Sequence, residues 1–304
     1  MGLFRVVLAS FVVIAHLSEG VTATSHLGAF AVTGFYVLSG YLITRVLQDV
    51  YRFDGWSFWT NRVLKLFPVY YIGCVFALSL IASHPVETAK FLPSAWAARP
   101  TEIDWLAVAA IVPMGLGGYT FRPVPSIWSV GVELMNYALL FVFTARRASW
   151  AAATLAASMA LHVLSLANGE PWSLRYAPAP AAAPPFAIGA LIYFGLRNRP
   201  AAIGRRGVVI AVAAWGAVLV AVGATGGIRA TGGFDAGFYA NMLAVAGLVG
   251  ALAASEAGRH AVITSDADRQ LGALAYPMFV THWIVGFVVS QWMFGGETRG
   301  LGLA

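Results

Sequence analysis

Long apolar runs broken only by short charged connections decide what this chain can fold into. They cover 3–17, 27–47, 63–81, 127–144, 150–166, 185–196, 208–224, 238–254 and 271–293. A spanning helix needs about 20 mostly apolar residues, and hydrocarbon satisfies no backbone N–H or C=O, so runs of this kind fold as helices. With 59% hydrophobic and 11% charged residues, the 304-residue chain leaves no room for a sizeable soluble domain. The pattern predicts an all-α, polytopic transmembrane helical bundle of about nine to ten spans, a single integral membrane domain over 1–304.

A net charge of +6 would point a soluble protein towards nucleic acid, but here the basic residues fall in the connections, so no nucleic acid is expected. Arg45, Arg52 and Arg62 follow the second run, Arg146 and Arg147 the fourth, and Arg197, Arg199, Arg205 and Arg206 the sixth. Positive-inside anchoring places all three groups on the cytoplasmic side of the lipid bilayer. That holds only if the short apolar stretch 105–118, which contains Pro113 and ends in glycines, is a partial and not a full crossing. Arg5 is the sole charge near the start of the chain and no convincing cleavage site follows, so the first helix is expected to stay. Cys74 lies in an apolar run and reads as packing. No cluster has metal-ligand spacing, so no metal is expected. Of the outer connections, proline-rich 177–185 should be stiff and glycine-rich 223–233 mobile.

Chemistry enters with Arg5 and His16, both inside the first run. An ionisable group near the bilayer centre costs roughly 2.5 to 3.5 kcal/mol, so such residues rarely persist without a task. The spacing is close to three helical turns, which puts both on one face about 16 Å apart. A fixed cation and a titratable imidazole at that separation suggest a tunnel, with an anion held at one end and proton transfer done at the other.

Further positions stand out. Gly34, Ser39 and Gly40 permit close helix approach. Arg62 and Lys65, three residues apart, stack two cations on one helical turn; this is inside anchoring or a phosphate site. Glu133 begins an apolar helix behind Trp128 and Ser129 and needs water, a partner or a proton. Ser129 lies in no Gly-x-Ser-x-Gly elbow. Tyr276 and His282 point about 120° apart, and His282 reads first as a structural histidine. His26, His84, His162 and His260 are assigned no role. Trp96, Trp105, Trp128 and Trp172 read as interfacial before they read as sugar-stacking.

Four pieces in this order resemble the acyltransferase 3 family of polytopic membrane O-acyltransferases: Arg5-x10-His16; Phe-Tyr-Val-Leu-Ser-Gly-Tyr-Leu-Ile-Thr at 35–44; Trp-Ser-x-x-Val-Glu from Trp128 to Glu133; and Tyr276-x5-His282. The chain departs from the family pattern in a short lead before Arg5, in Asn61-Arg62-x-x-Lys65 where two arginines precede a third, and in Leu134 where a second acid commonly follows. The family is described with ten helices. The resemblance implies transfer of an acyl group, most often acetyl, from acyl-CoA (acetyl-CoA above all) to a hydroxyl of a carbohydrate or lipid-linked glycan acceptor, in a bacterial inner membrane. On that reading His16 is general base or transient acyl carrier, Arg5 steadies phosphate or developing charge, Glu133 orients His16, and Arg62, Lys65 and Arg45 hold the coenzyme phosphates. Two alternatives use the same charges: a proton-coupled transporter or flippase, disfavoured because no inverted halves are present, and an inactive relative, favoured by the eroded basic motif.

Overall fold

The computed structural model describes residues 1–18, 21–198, 203–225, 233–257, 265–296, 299–300 and 303. Its helices are α1 (Gly2–Leu17), α2 (Leu27–Val46), α3 (Gly55–Ser83), α4 (Pro85–Phe91), α5 (Pro93–Trp96), α6 (Glu102–Ala110), α7 (Trp128–Val142), α8 (Ala148–Ala167), α9 (Ser173–Tyr176), α10 (Ala183–Asn198), α11 (Arg205–Ala224), α12 (Gly233–Ala257) and α13 (Ser265–Met293). Among the described residues there is no strand. Among the described residues seven helices are long and apolar enough to cross a membrane, and α1 is a shorter apolar helix. Nine to ten spans are therefore not reached on length and composition alone. At 16 residues, α10 is too short by that measure, yet it starts with Pro184 and Pro185 in its first turn and packs along α2.

Local chemistry explains the boundaries. α3 begins eight residues ahead of the expected 63, because the Asp54 carboxylate accepts the Trp56 N–H at 3.2 Å and the Ser57 hydroxyl. These bonds hold the Asp54 carboxyl below the usual carboxylate range. A capping box starts α6: the Thr101 hydroxyl accepts the Asp104 N–H at 3.2 Å and Asp104 accepts the Thr101 N–H at 2.9 Å. α6 stops after nine residues at Ile111, whose φ of 61° is strained for a β-branched residue, and a 3₁₀ turn, Val112–Leu116, follows. Hence 105–118 is not one spanning helix. It lies on α7 instead, through Gly115 and Gly131: a Cβ on Gly115 would sit 2.5 Å from the Val132 nitrogen.

The basic connections meet at one end. Gln48 Nε2 donates to the Ala145 carbonyl at 2.7 Å, Arg197 donates to Gln48 at 3.0 Å, and the Arg146 guanidinium lies 3.9 Å from the Phe53 ring centroid. Arg199, His260 and the 226–232 part of the glycine-rich connection lie outside the described residues. At the same end the Asp268 carboxylate accepts the N–H groups of Gly2 at 2.8 Å and Leu3 at 3.0 Å, which caps α1 from α13. This fixes α1 against α2 and α13. Gly34 of α2 leaves room for Leu8, since a Cβ there would come within 2.8 Å of a Leu8 methyl. From the other side Trp215 of α11 bonds Asn241 of α12 at 2.9 Å and meets the rings of Phe4 and Phe11.

Candidate active site

α1 carries the centre of the site. Its stripe from Arg5 to His16 includes Leu8 and Val12, both buried, and Val12 borders the same cavity as His16. At the far end His16 Nδ1 lies 2.9 Å from His282 Nε2 of α13. The ring planes are 15° from parallel with centroids 5.1 Å apart, and at that N···N distance the rings meet edge to edge, so the bond lies close to both planes. Trp283 lies 4.9 Å from His16, and His282 Nδ1 sits 2.8 Å from the Phe279 carbonyl. The Ser126 hydroxyl donates to that same carbonyl at 3.0 Å and joins the start of α7 to α13.

His16 lines a cavity of about 180 Å³. Trp128, Trp172 and Tyr176 wall it with aromatic surface, and Ser126 and Ser129 add hydroxyls. Ser129 donates back to the Ser126 carbonyl at 3.0 Å, and its own carbonyl accepts Tyr36 OH at 3.1 Å. Apart from His16, none of the described lining residues carries an imidazole, a carboxylate, an ammonium or a guanidinium.

The cations gather at the other end. Lys65 has Arg5, Arg62 and Glu133 as electrostatic neighbours, and Arg62 also bears on Tyr137. Arg62 donates to Asn61 Oδ1 at 2.7 Å and lies over Phe58. Arg5 Nη1 faces α13 at Gly272, 3.9 Å from where a Cβ would stand. Glu133 accepts the hydroxyls of Ser39 and Tyr137. Tyr276 donates to the Leu66 carbonyl at 2.9 Å, across α13 and α3. Arg45 is exposed in the last turn of α2, at the same end. A cationic end, a carboxylate bonded by two hydroxyls and an imidazole pair are thus carried by α1, α2, α3, α7 and α13.

A family model described as an acyltransferase domain matches residues 1–301. The chain belongs to the acyltransferase 3 family. No curated protein and no solved structure matches it. As a member of that family the protein is a membrane acyltransferase, with transmembrane helices, a lipid bilayer around it and an acceptor substrate to modify.

Several expectations change once the acyltransferase is folded. Glu133 does not orient His16, because the Ser39 and Tyr137 hydroxyls donate to its carboxylate and His282 is the residue that meets His16 Nδ1. Arg5 is not among the described residues that line the cavity bordered by His16. His282 has both ring nitrogens partnered, one by the Phe279 carbonyl and one by His16. His162 also has partners, at 2.9 Å from Tyr239 OH and 2.7 Å from the Ala181 carbonyl. His26 is buried at the start of α2 beside Phe30, and burial pushes its imidazole below the ordinary range. Trp128 and Trp172 wall the cavity and do not merely mark an interface, whereas Trp96 is buried with its N–H on the Pro123 carbonyl at 3.1 Å and Trp105 meets Phe121.

Tyr36, Tyr137 and Trp283 were missed, because aromatic residues in apolar helices look like core, and Tyr176 because it lies in an outer connection. Arg299 was missed as well. It lies beyond the last apolar run, 5.5 Å from the Trp283 ring centroid, where the Gly300 N–H reaches the Leu17 carbonyl at 2.9 Å. That segment closes beside His16.

Proposed function

We propose that this acyltransferase moves an acyl group, acetyl in the first instance, from acyl-CoA to a hydroxyl of a carbohydrate or glycan-like acceptor. The observation that carries the reading is His16, bonded through Nδ1 to His282 and bordering an aromatic-walled cavity. Opposite it stands the Arg5, Arg62 and Lys65 group. Coenzyme A has phosphates at one end of a flexible arm and its thioester at the other, which suits polar ends about 16 Å apart along α1. The basic end faces the cytoplasm of a bacterial inner membrane, where the donor is made. Aromatic faces with few charges fit an uncharged sugar ring.

His16 takes the acceptor hydroxyl's proton as that oxygen attacks the thioester carbonyl, and returns it to the departing thiolate; as a transient carrier it would attack the thioester first. Glu133, among three cations and two hydroxyls, balances charge at the donor end. Purified protein incubated with labelled acetyl-CoA and candidate glycans should cleave the thioester and label the glycan. Intact thioester with every acceptor, from protein that still binds coenzyme A, would favour the inactive relative. Proton-coupled flux without cleavage in liposomes would favour the transporter.

Two variants separate the ends. Arg62→Ala should raise the apparent KM for acyl-CoA about tenfold or more with kcat little changed, because a hydrogen bond to a charged group is worth roughly 1.5–3 kcal/mol. An unchanged donor KM would remove Arg62 from phosphate binding. Trp172→Ala should raise acceptor KM roughly threefold to tenfold, the size of an aromatic contact, and leave donor KM alone. A shift in donor KM instead would place Trp172 on the coenzyme path.

A further inference from the structure

We propose that His282 is a positioning residue that fixes His16 in one tautomer, with the proton on Nδ1 and the lone pair on Nε2. The inference rests on the acyltransferase reading of the cavity but not on which acceptor fills it. The argument begins at a carbonyl. Phe279 C=O has no proton to give, so His282 Nδ1, 2.8 Å away, carries the hydrogen of that bond. A neutral imidazole with Nδ1 protonated has a bare Nε2. His282 Nε2 therefore accepts, and His16 Nδ1, 2.9 Å from it, donates. His16 Nε2 is left unprotonated.

That nitrogen faces Gly28, another residue of the cavity wall: a Cβ on Gly28 would lie 4.0 Å from it. The basic lone pair thus borders the space where a hydroxyl must sit. In the other tautomer Nε2 would carry hydrogen, and two ring nitrogens without hydrogen would face each other across 2.9 Å, which is repulsive. The Phe279 carbonyl is itself held, since the Ser126 hydroxyl donates to it from α7, so the setting is anchored to two helices. With no carboxylate among the described residues that line the cavity, a neutral imidazole does here what an acid does in a hydrolase triad. When His16 Nε2 takes the acceptor's proton, the imidazolium keeps its Nδ1–H bond to His282. The proton leaves again to the coenzyme thiolate, so acceptor alcohol and thioester become ester and thiol with no net proton change. A carrier route would use the same lone pair.

The test reads the tautomer directly. In full-length protein in detergent, with ¹⁵N-labelled histidine, His16 Nε2 should show the pyridine-like signal and Nδ1 the pyrrole-like one near pH 8, assigned by loss of the signals in His16→Gln. His282→Leu should mix or invert these signals and lower kcat roughly 10²-fold while both KM values change less than about twofold, the pattern of a lost orienting partner. His282→Gln supplies an amide oxygen near the Nε2 position and should restore kcat to within about tenfold of wild type. A protonated Nε2 in the wild-type protein overturns the proposal, and that measurement needs no variant to fold. Gln no better than Leu, in proteins of equal melting temperature, overturns it too. Absence of acyl transfer with the expected wild-type signals would strike the functional reading and leave the tautomer assignment standing.

Discussion

His16→Ala should lower acyl transfer by about 10² to 10⁴, the range a positioned acid or base supplies, while the protein still inserts and binds coenzyme A. The cavity gives the expectation its size. Among its described lining residues the other polar side chains are hydroxyls and two indoles, none of which accepts a proton readily near neutral pH. His282 Nε2 would then face the vacated space, but one ring farther from the acceptor, so it makes a poor substitute. Initial rates with labelled acetyl-CoA, paired with calorimetric binding of coenzyme A, check this. Binding retained with activity lost places the effect on the transition state. More than about a tenth of wild-type rate remaining would remove His16 from the reaction.

How far the sequence reached differs between fold and site, for a physical reason. Apolar run length reports a helix's environment directly, so the all-α membrane class and most helix positions could be read from it. α3 escaped at its start because its first turns carry Asp54, Ser57 and Asn61, which a hydropathy reading assigns to a loop, although Asp54 ahead of Trp56 and Ser57 is a capping signal. α10 and the 105–118 stretch show the opposite failure, in which tertiary packing and a strained residue decide what length leaves open. In the site, helical periodicity was enough to put Arg5 and His16 on one stripe. It could not say which residue of a distant helix meets each of them. Glu133 and His282 both looked like lone polar groups; Tyr137 stands one turn on from Glu133 in α7, but the partners from other helices, Ser39 for one and His16 for the other, are set by helix packing.

That packing also explains why polar groups inside this bundle hold fixed partners. Ser39 reads as a small residue for close approach, yet it also donates to Glu133, so one position serves both helix contact and carboxylate satisfaction. Tyr36 closes the same region from above by bonding the Ser129 carbonyl and stacking 4.6 Å from Phe186 of α10. Where α2 lies against α10 therefore determines whether Ser39 and Tyr36 reach α7 at all.

The second large effect is expected at that crossing. A Cβ on Gly189 of α10 would stand 2.2 Å from the Val37 carbonyl oxygen and 2.5 Å from the Tyr41 nitrogen, and one on Gly40 of α2 would stand 2.2 Å from the Phe186 carbonyl oxygen. These are backbone atoms, which cannot swing aside as a side chain can. Gly189→Ala must push the helices apart, and overpacking of this kind costs about 1–3 kcal/mol; Gly189→Leu should prevent the native crossing. Gly195→Ala, six residues along the same helix, is the control, because a Cβ there meets nothing within 4 Å. With helix propensity alone at stake, it should leave stability unchanged or raise it by up to about 1 kcal/mol. Thermal melting in detergent followed by size exclusion should rank the proteins Gly195→Ala, wild type, Gly189→Ala, Gly189→Leu from most to least stable. Displacing α2 also withdraws Ser39 from Glu133, so Gly189→Ala should lose activity below its melting point, where Gly195→Ala does not. Equal melting temperatures for the two alanine variants would mean the helices cross farther apart than the glycine contacts place them.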